Sequence, residues 1–130
     1  MDKLEYIPGD LVYIHGSLRI ISNCDGYYAT YYDENESLQE VNVNVIEGIP
    51  ITPEILEKNG WEKDTHRYCL DGMSAEAYEK KDFPLAYFDV TFGKKRILAS
   101  HDCLFVRNLK YVSDLQHLLF GLGINHEMEV

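Results

Sequence analysis

The sequence predicts an α+β fold, and three observations support this prediction. The first 48 of the 130 residues contain short apolar runs separated by turn residues, which is typical of antiparallel strands. Two later segments, near residues 53 and 115, have the capping residues and apolar spacing of helices. Apolar residues make up 45% of the chain, enough for a packed core at this length. We therefore expect two lobes that form one compact unit, residues 1–48 and residues 49–130.

The N-terminal lobe is predicted to be a bent antiparallel sheet or a small SH3-like barrel. Apolar runs at residues 11–14 and 18–21 flank a Gly16-Ser17 pair, which suits a type II′ turn because glycine adopts positive φ without steric cost. Residues 27–32 are rich in tyrosine and favour a strand. Valines at alternate positions from Val41 to Val45 predict another strand.

The second lobe begins with a short helix and continues as an antiparallel meander. Thr52 can cap a helix that starts at Pro53, and Gly60 can end it in the left-handed conformation, with Trp61 packed over the helix end. Strands are predicted at residues 66–70, 85–92, 95–99 and 103–106, with a polar loop or a helical turn at 74–81.

A longer helix is predicted at residues 111–122, packed on this meander. Ser113 and Gln116 have the spacing of a capping box. Leucines at i, i+3, i+4 and i+7 form one apolar stripe: Leu115, Leu118, Leu119 and Leu122. The tail at residues 124–130 alternates like a closing strand.

The charge balance argues against several classes of function. Twelve Lys and Arg against 22 Asp and Glu give a net charge of −10, which disfavours direct binding to nucleic acids or to anionic membranes. No apolar run approaches the ~18 residues of a membrane span, and the start MDKLEYIPGD lacks a signal-peptide core. The three cysteines, Cys24, Cys69 and Cys103, form no CxxC pair. We therefore expect a reduced, cytoplasmic protein.

Reactive chemistry has one candidate segment, His101-Asp102-Cys103. A cysteine nucleophile needs an imidazole base, but residues at i and i+2 of a strand do not converge on one substrate atom, so His15 or His66 would have to supply the base. A buried, inert Cys103 is the simpler interpretation. The histidines and cysteines lack the paired spacing of zinc ligands. We expect no catalytic residues, no metal and no cofactor.

The tyrosines of the N-terminal lobe are the stronger candidates for function. Residues 1–48 contain nine carboxylates against Lys3 and Arg19. Adjacent tyrosines in a strand point one ring to either face, so at least two rings should face solvent among carboxylates. Tyrosine is enriched at protein interfaces. The predicted binding residues are Tyr27, Tyr28, Tyr31, Tyr32, Glu34 and Glu36.

Two segments resemble a group of small uncharacterised proteins of Bacteroides-type bacteria and their prophages and mobile elements. IPITPEILEKNGWEK, residues 49–63, is similar to the group's P-x-T-x-E-x-L-x-K-x-G-F box, with Trp61 in place of Phe. KYVSDLQHLLFGLGINHEMEV, residues 110–130, is similar to its C-terminal Y-V-x-x-L-Q-x-L-x-F helix, with Ser113 for His and His117 for Asn. The resemblance implies a shared fold unit and a mobile-element origin, and it implies no activity.

The leading hypothesis is therefore a non-enzymatic accessory protein of mobile-element origin that binds another protein through its acidic, tyrosine-rich face. One alternative is a nucleic-acid mimic that occupies the DNA-binding groove of a host protein. A second is a small Cys/His-dependent hydrolase. A third is a structural subunit that dimerises through the Leu118/Leu122 stripe or the Val130 tail.

Overall fold

The computed structural model describes residues 6–64, 68–70, 73–80, 88–94, 96–101 and 104–130. Within these ranges, antiparallel sheets and a few helices confirm the predicted α+β class. The chain divides into two compact units. The first unit contains the N-terminal part up to Pro50 together with Tyr111–Met128, and the second contains Ile51–Lys110 with Glu129–Val130. The C-terminal helix thus belongs to the unit of the N-terminal sheet, contrary to its expected place on the meander.

The first unit is built on an antiparallel sheet in the order β4-β3-β2-β1-β5. No pairing between β4 and β5 closes this sheet within the described ranges, so it is an open sheet there and the predicted closed barrel is not observed. Its strands are β1 (Leu11–Ile14), β2 (Ser17–Cys24), β3 (Tyr28–Tyr32), β4 (Leu38–Asn42) and β5 (Ile46–Glu47).

The hairpin between β1 and β2 differs from the predicted type II′ turn. Ile14 pairs with Ser17, so the loop consists of His15 and Gly16. Both loop residues have positive φ, 52° and 79° respectively. This is the pattern of a type I′ turn, whose twist matches that of the flanking strands. Histidine tolerates the left-handed region better than most side chains do.

The strand predicted from the alternating valines is also interrupted. β4 ends at Asn42, and a 3-10 turn follows at Val43–Val45 before β5. The Asn42 side chain accepts a hydrogen bond from the Asn44 amide at 2.9 Å, which offers the backbone a local alternative to the sheet. The core of this sheet consists of the side chains that point to its inner face: Val12, Ile14, Ile21, Ala29, Tyr31, Val43 and Ile46.

The helix α2 (Val112–Gly121) confirms the predicted C-terminal helix, but its cap differs. The Asp114 carboxylate accepts a hydrogen bond from the Tyr111 amide at 2.8 Å, whereas the predicted capping partners Ser113 and Gln116 are both buried.

Gln116 instead connects α2 to the segment at the start of β1. Its Oε1 accepts from the Leu11 amide at 2.9 Å, and its Nε2 donates to the carbonyls of Gly9 at 2.9 Å and His126 at 3.0 Å.

The second unit begins with the predicted short helix, α1 (Pro53–Lys58). The Thr52 hydroxyl accepts a hydrogen bond from the Ile55 amide at 3.2 Å, and Gly60 has a φ of 87°. The buried Trp61 donates its amide hydrogen to the Leu56 carbonyl at 3.0 Å and contacts the Phe88 ring at 6.2 Å between centroids. The local capping signals of this segment are therefore confirmed.

The second sheet has the order β11-β10-β9-β8-β6, and β7 pairs with β8. The polar loop predicted at 74–81 is wrong, because these residues largely form β8. The predicted closing strand at 124–130 is also not formed. The strands are β6 (Glu62–Lys63), β7 (Tyr68–Leu70), β8 (Met73–Glu79), β9 (Phe88–Phe92), β10 (Ile97–His101) and β11 (Leu104–Leu109).

The described part of the chain has no helix that is both long and apolar enough to cross a membrane.

Candidate functional site

The outer face of β2, β3 and β4 presents large apolar side chains to solvent. Side chains alternate along β3, so the Tyr31 ring lies in the core with 8% of its surface exposed, whereas the Tyr32 ring is 59% exposed. The expected opposite orientation of this tyrosine pair is confirmed. The buried Tyr31 ring is not available to a partner, which corrects the expectation that it belongs to a binding surface.

The other predicted pair, Tyr27 and Tyr28, does not divide between core and solvent. Tyr27 lies in the bend before β3, and both rings are largely exposed. The bend is held by Asp25, whose Oδ1 accepts hydrogen bonds from the amides of Tyr27 at 2.8 Å and Tyr28 at 2.7 Å. Tyr28 and Tyr32 are two strand periods apart on β3 and therefore share the outer face.

The two predicted carboxylates lie in the loop between β3 and β4. Glu34 Oε1 contacts Arg19 Nη2 at 2.7 Å, and the pKa of Glu34 is lowered, first by its own backbone amide and then by this arginine. The Arg19 guanidinium also lies 5.2 Å from the centroid of the Tyr31 ring. Glu36 is exposed and has a φ of 58°. Glu34 is thus partly neutralised, and Glu36 faces solvent at the loop tip.

Aliphatic residues that the sequence analysis did not select complete the outer face. Ile20 is 60% exposed and Leu38 is 57% exposed, and Leu38 pairs directly with Tyr32 across the two strands. A groove of about 450 Å³ runs beside Tyr32 along residues 18–22 of β2. We call Ile20, Tyr28, Tyr32 and Leu38 the outer apolar face. The period-two alternation of β2 was the signal for Ile20, because Ile21 is buried and its neighbours must point outward.

The acidic charge of the protein is concentrated in the first unit. This unit contains eleven carboxylates against two cationic side chains, whereas the second unit contains eleven carboxylates against ten. The first unit therefore carries −9 of the net charge of −10. One of its two cations, Arg19, is already paired with Glu34. The outer apolar face thus lies in a strongly negative field that attracts cationic partners.

A buried carboxylate in the first unit is paired with a histidine. Asp10 is fully buried, and its Oδ2 accepts from the Ile7 amide at 2.9 Å and contacts His117 Nε2 at 2.5 Å. In hydrolases such a pair orients a histidine toward a hydroxyl or thiol nucleophile. Among the described residues, no serine or cysteine forms a hydrogen bond with His117. The pair instead fixes α2 against residues 7–10, one position along the helix from Gln116.

The proposed cysteine chemistry cannot be assembled from the described side chains. His101 ends β10 and is half-buried, whereas Asp102, Cys103 and the alternative base His66 lie outside the described residues. His15 is exposed at the tip of the β1–β2 hairpin in the first unit. The hydrolase hypothesis therefore stays a prediction about the sequence.

Three carboxylates of the second unit form a cluster that the sequence did not reveal. Oxygens of Asp64, Glu79 and Asp89 lie within 4.8 Å of one another, and Asp64 and Asp89 are buried. Glu79 and Asp89 are paired residues of β8 and β9. Hard cations such as Ca²⁺ and Mg²⁺ prefer such oxygen ligands, so this cluster is where the described residues could hold one. The spacing along the chain gives no hint of it because strand pairing brings the residues together.

No family model, curated protein or solved structure matches this chain.

Proposed function

We propose that the protein is a non-enzymatic accessory protein that binds another protein through the outer apolar face of its first unit. The observation that carries this proposal is the exposure of four large apolar side chains on one face of β2, β3 and β4. Contiguous exposed apolar groups with a polar rim are typical of protein-binding surfaces. We further propose that it acts in the cytoplasm and that its gene is of mobile-element origin, as the resemblance of its two helix segments implies.

The strand order of the first unit supports a more specific proposal about its architecture. In this sheet β5, the last strand in the sequence, pairs with β1, the first strand in the sequence. A 3-10 turn directly precedes β5. We propose that this unit is an SH3-like module. Small sheets of this kind present aromatic side chains to partner peptides in several classes of binding domain.

Nucleic-acid mimicry is the second candidate, favoured by the concentration of charge in the first unit. A mimic of the phosphate backbone needs carboxylates at the centre of its contact surface. Here four large apolar side chains dominate the face, one carboxylate, Glu40, lies among them, and Glu34 and Glu36 lie in the loop beside it. We therefore favour an interface dominated by apolar contacts over one dominated by charge.

The test is affinity capture from a lysate of the bacterium that carries the gene, with variants as bait. The double variant Tyr32→Ser with Leu38→Ser removes the centre of the face, whereas Val45→Ser removes an exposed apolar residue from the 3-10 turn and serves as the matched control. We expect one stoichiometric partner with wild type and with the Val45 variant, and its loss with the double variant. Equal capture by all three baits would contradict the proposal.

Washing the same complexes at low and high salt separates the two candidates. An apolar interface retains its partner at high salt, whereas a charge-dominated mimic releases it because salt screens exposed charges.

A further inference from the structure

A carboxylate lies between the two exposed tyrosines of β3. In the pairing of β3 with β4, Tyr28 is opposite Asn42, Thr30 is opposite Glu40, and Tyr32 is opposite Leu38. Directly paired residues share a face, so Glu40 stands on the outer face between the tyrosine rings. Diagonal neighbours in an antiparallel pair are roughly 7–8 Å apart, within reach of aromatic side chains. The Glu40 carboxylate and both rings can therefore contact one group.

Glu40 has no cationic partner among the residues that the structure describes. Glu40 is exposed, and it forms no ion pair with any residue that the structure describes. Arg19, the one described cation of the first unit besides its histidines, is paired with Glu34. The first unit carries a net charge of −9, which excludes a second copy of the same surface as the natural occupant because like charges would face each other.

We propose that Glu40, Tyr28 and Tyr32 form a receptor for one arginine side chain of the partner protein. The inference depends on the proposed function, because it names the group that the outer apolar face recognises. An arginine guanidinium is planar and weakly hydrated, so it stacks on a tyrosine ring while its N–H groups donate to a carboxylate. Its aliphatic stem then lies against Leu38. A lysine ammonium lacks the flat surface that such stacking uses.

The direct test is an NMR titration of the full chain with N-acetyl-arginine amide, followed through the backbone amide shifts. N-acetyl-citrulline amide has nearly the same shape without the charge and is the matched probe. We expect the arginine probe to shift amides at residues 28–32 and 38–42, and the citrulline probe to leave them unchanged. Equal shifts from both probes, or shifts located elsewhere, would overturn the inference.

Two variants assign the effect to the carboxylate. Glu40→Gln should weaken binding of the arginine probe about two- to fivefold, the size expected when one exposed ion pair is lost. Glu47→Gln, at an exposed glutamate of β5, should leave binding unchanged. Equal affinities of wild type and the Glu40 variant would refute the receptor.

Affinity capture with the Glu40→Gln bait separates this inference from the proposed function. If that bait retains the partner as well as wild type while the Tyr32/Leu38 double variant loses it, the receptor is refuted and the binding face stands. If the double variant also retains the partner, the proposed function fails. A partner that is captured in smaller amount by the Glu40→Gln bait, is lost with the double variant, and binds more weakly when one arginine of its own is substituted supports both.

Discussion

Tyr31 and Tyr32 are neighbours in the chain with opposite roles. The Tyr31 ring packs in the core of the first sheet under the Arg19 guanidinium, whereas the Tyr32 ring stands on the outer face beside Leu38. A strand reverses the direction of its side chain at each residue, so one register decides both roles. Tyr31 therefore contributes to stability, whereas the adjacent Tyr32 is available for binding.

Alanine substitution at these two positions should have opposite effects. Tyr31→Ala leaves a cavity in the core, and we expect it to lower the free energy of unfolding by about 3–5 kcal/mol. Tyr32→Ala removes an exposed ring and should change it by no more than about 0.5 kcal/mol. Urea denaturation followed by far-UV circular dichroism measures both. Similar losses for the two variants would place both rings in the core and contradict the outer face.

The candidate site was predictable only in part. The composition of residues 27–32 indicated exposed tyrosines, and Tyr28 and Tyr32 are exposed. It did not indicate that Ile20, Leu38 and Glu40 lie beside these tyrosines. That proximity depends on the register between strands, which the hydrophobic pattern of one sequence does not specify. Tyr31 was wrongly included among the binding residues. The sequence shows that adjacent tyrosines face opposite sides of the strand, but it does not show which side packs on the core.

At the scale of elements, the Asp33 side chain joins two backbone hydrogen bonds, Asp33 amide to Ser37 carbonyl and Glu36 amide to Asp33 carbonyl, in holding the loop between β3 and β4. Asp33 Oδ1 accepts hydrogen bonds from the amides of Asn35 at 2.9 Å and Ser37 at 3.0 Å, and its Oδ2 accepts from Gln39 Nε2 at 3.0 Å. The pKa of Asp33 is lowered, chiefly by the Ser37 amide, because these donors favour the ionised carboxylate. The ionised Asp33 thus orders the loop that carries Glu34 and Glu36.

Acid should weaken the hydrogen bonds of this loop only at a pH below the ordinary aspartate range. Because the pKa of Asp33 in the folded state lies below that in the unfolded state, its stabilising contribution is complete above the ordinary aspartate range and is lost as pH falls through the folded value. We expect the Ser37 amide shift to titrate below that range. The Asp33→Asn variant should lose this inflection. A wild-type inflection at the ordinary value would contradict the loop geometry.

The sequence predicted the helices, which have capping residues and apolar spacing within a short segment. It predicted less well the strands that form only by pairing with distant segments. Thr52, Pro53 and Gly60 define α1 within a few residues of chain. β8 was taken for a loop because its alanines and glutamates are poor strand formers, and it becomes a strand because β6, β7 and β9 all pair with it. Tertiary pairing overrides intrinsic propensity there.

At the scale of the whole molecule, residues 51–110, which form nearly all of the second unit, are an insertion in the first. The chain leaves the first unit after Pro50 and returns at Tyr111, and these two residues form an antiparallel bridge. Beside it, the Val112 amide donates to the Ile49 carbonyl at 2.7 Å. The two ends of the insertion are therefore adjacent, as is typical of sites that tolerate inserted domains.

Removing the insertion should leave a foldable first unit. We expect a variant in which Asn-Gly replaces residues 51–110 to fold, because a bridged pair such as Pro50 and Tyr111 is correctly spaced for a two-residue hairpin loop. Dispersed amide resonances in NMR spectra, with retained shifts for residues 11–32, would confirm this. Collapsed spectra would show that the first unit depends on the second.

The insertion also determines the order in which the parts of the first unit are synthesised. The five strands of the first sheet are synthesised before residue 50, but the Leu11 amide and the Gly9 carbonyl receive their partner only when Gln116 has emerged. Residues 51–110 are contiguous, so nearly all of the second unit is available to fold while the first waits for its helix. While some sixty further residues are translated, the nascent sheet therefore exposes the part of β1 that α2 later covers.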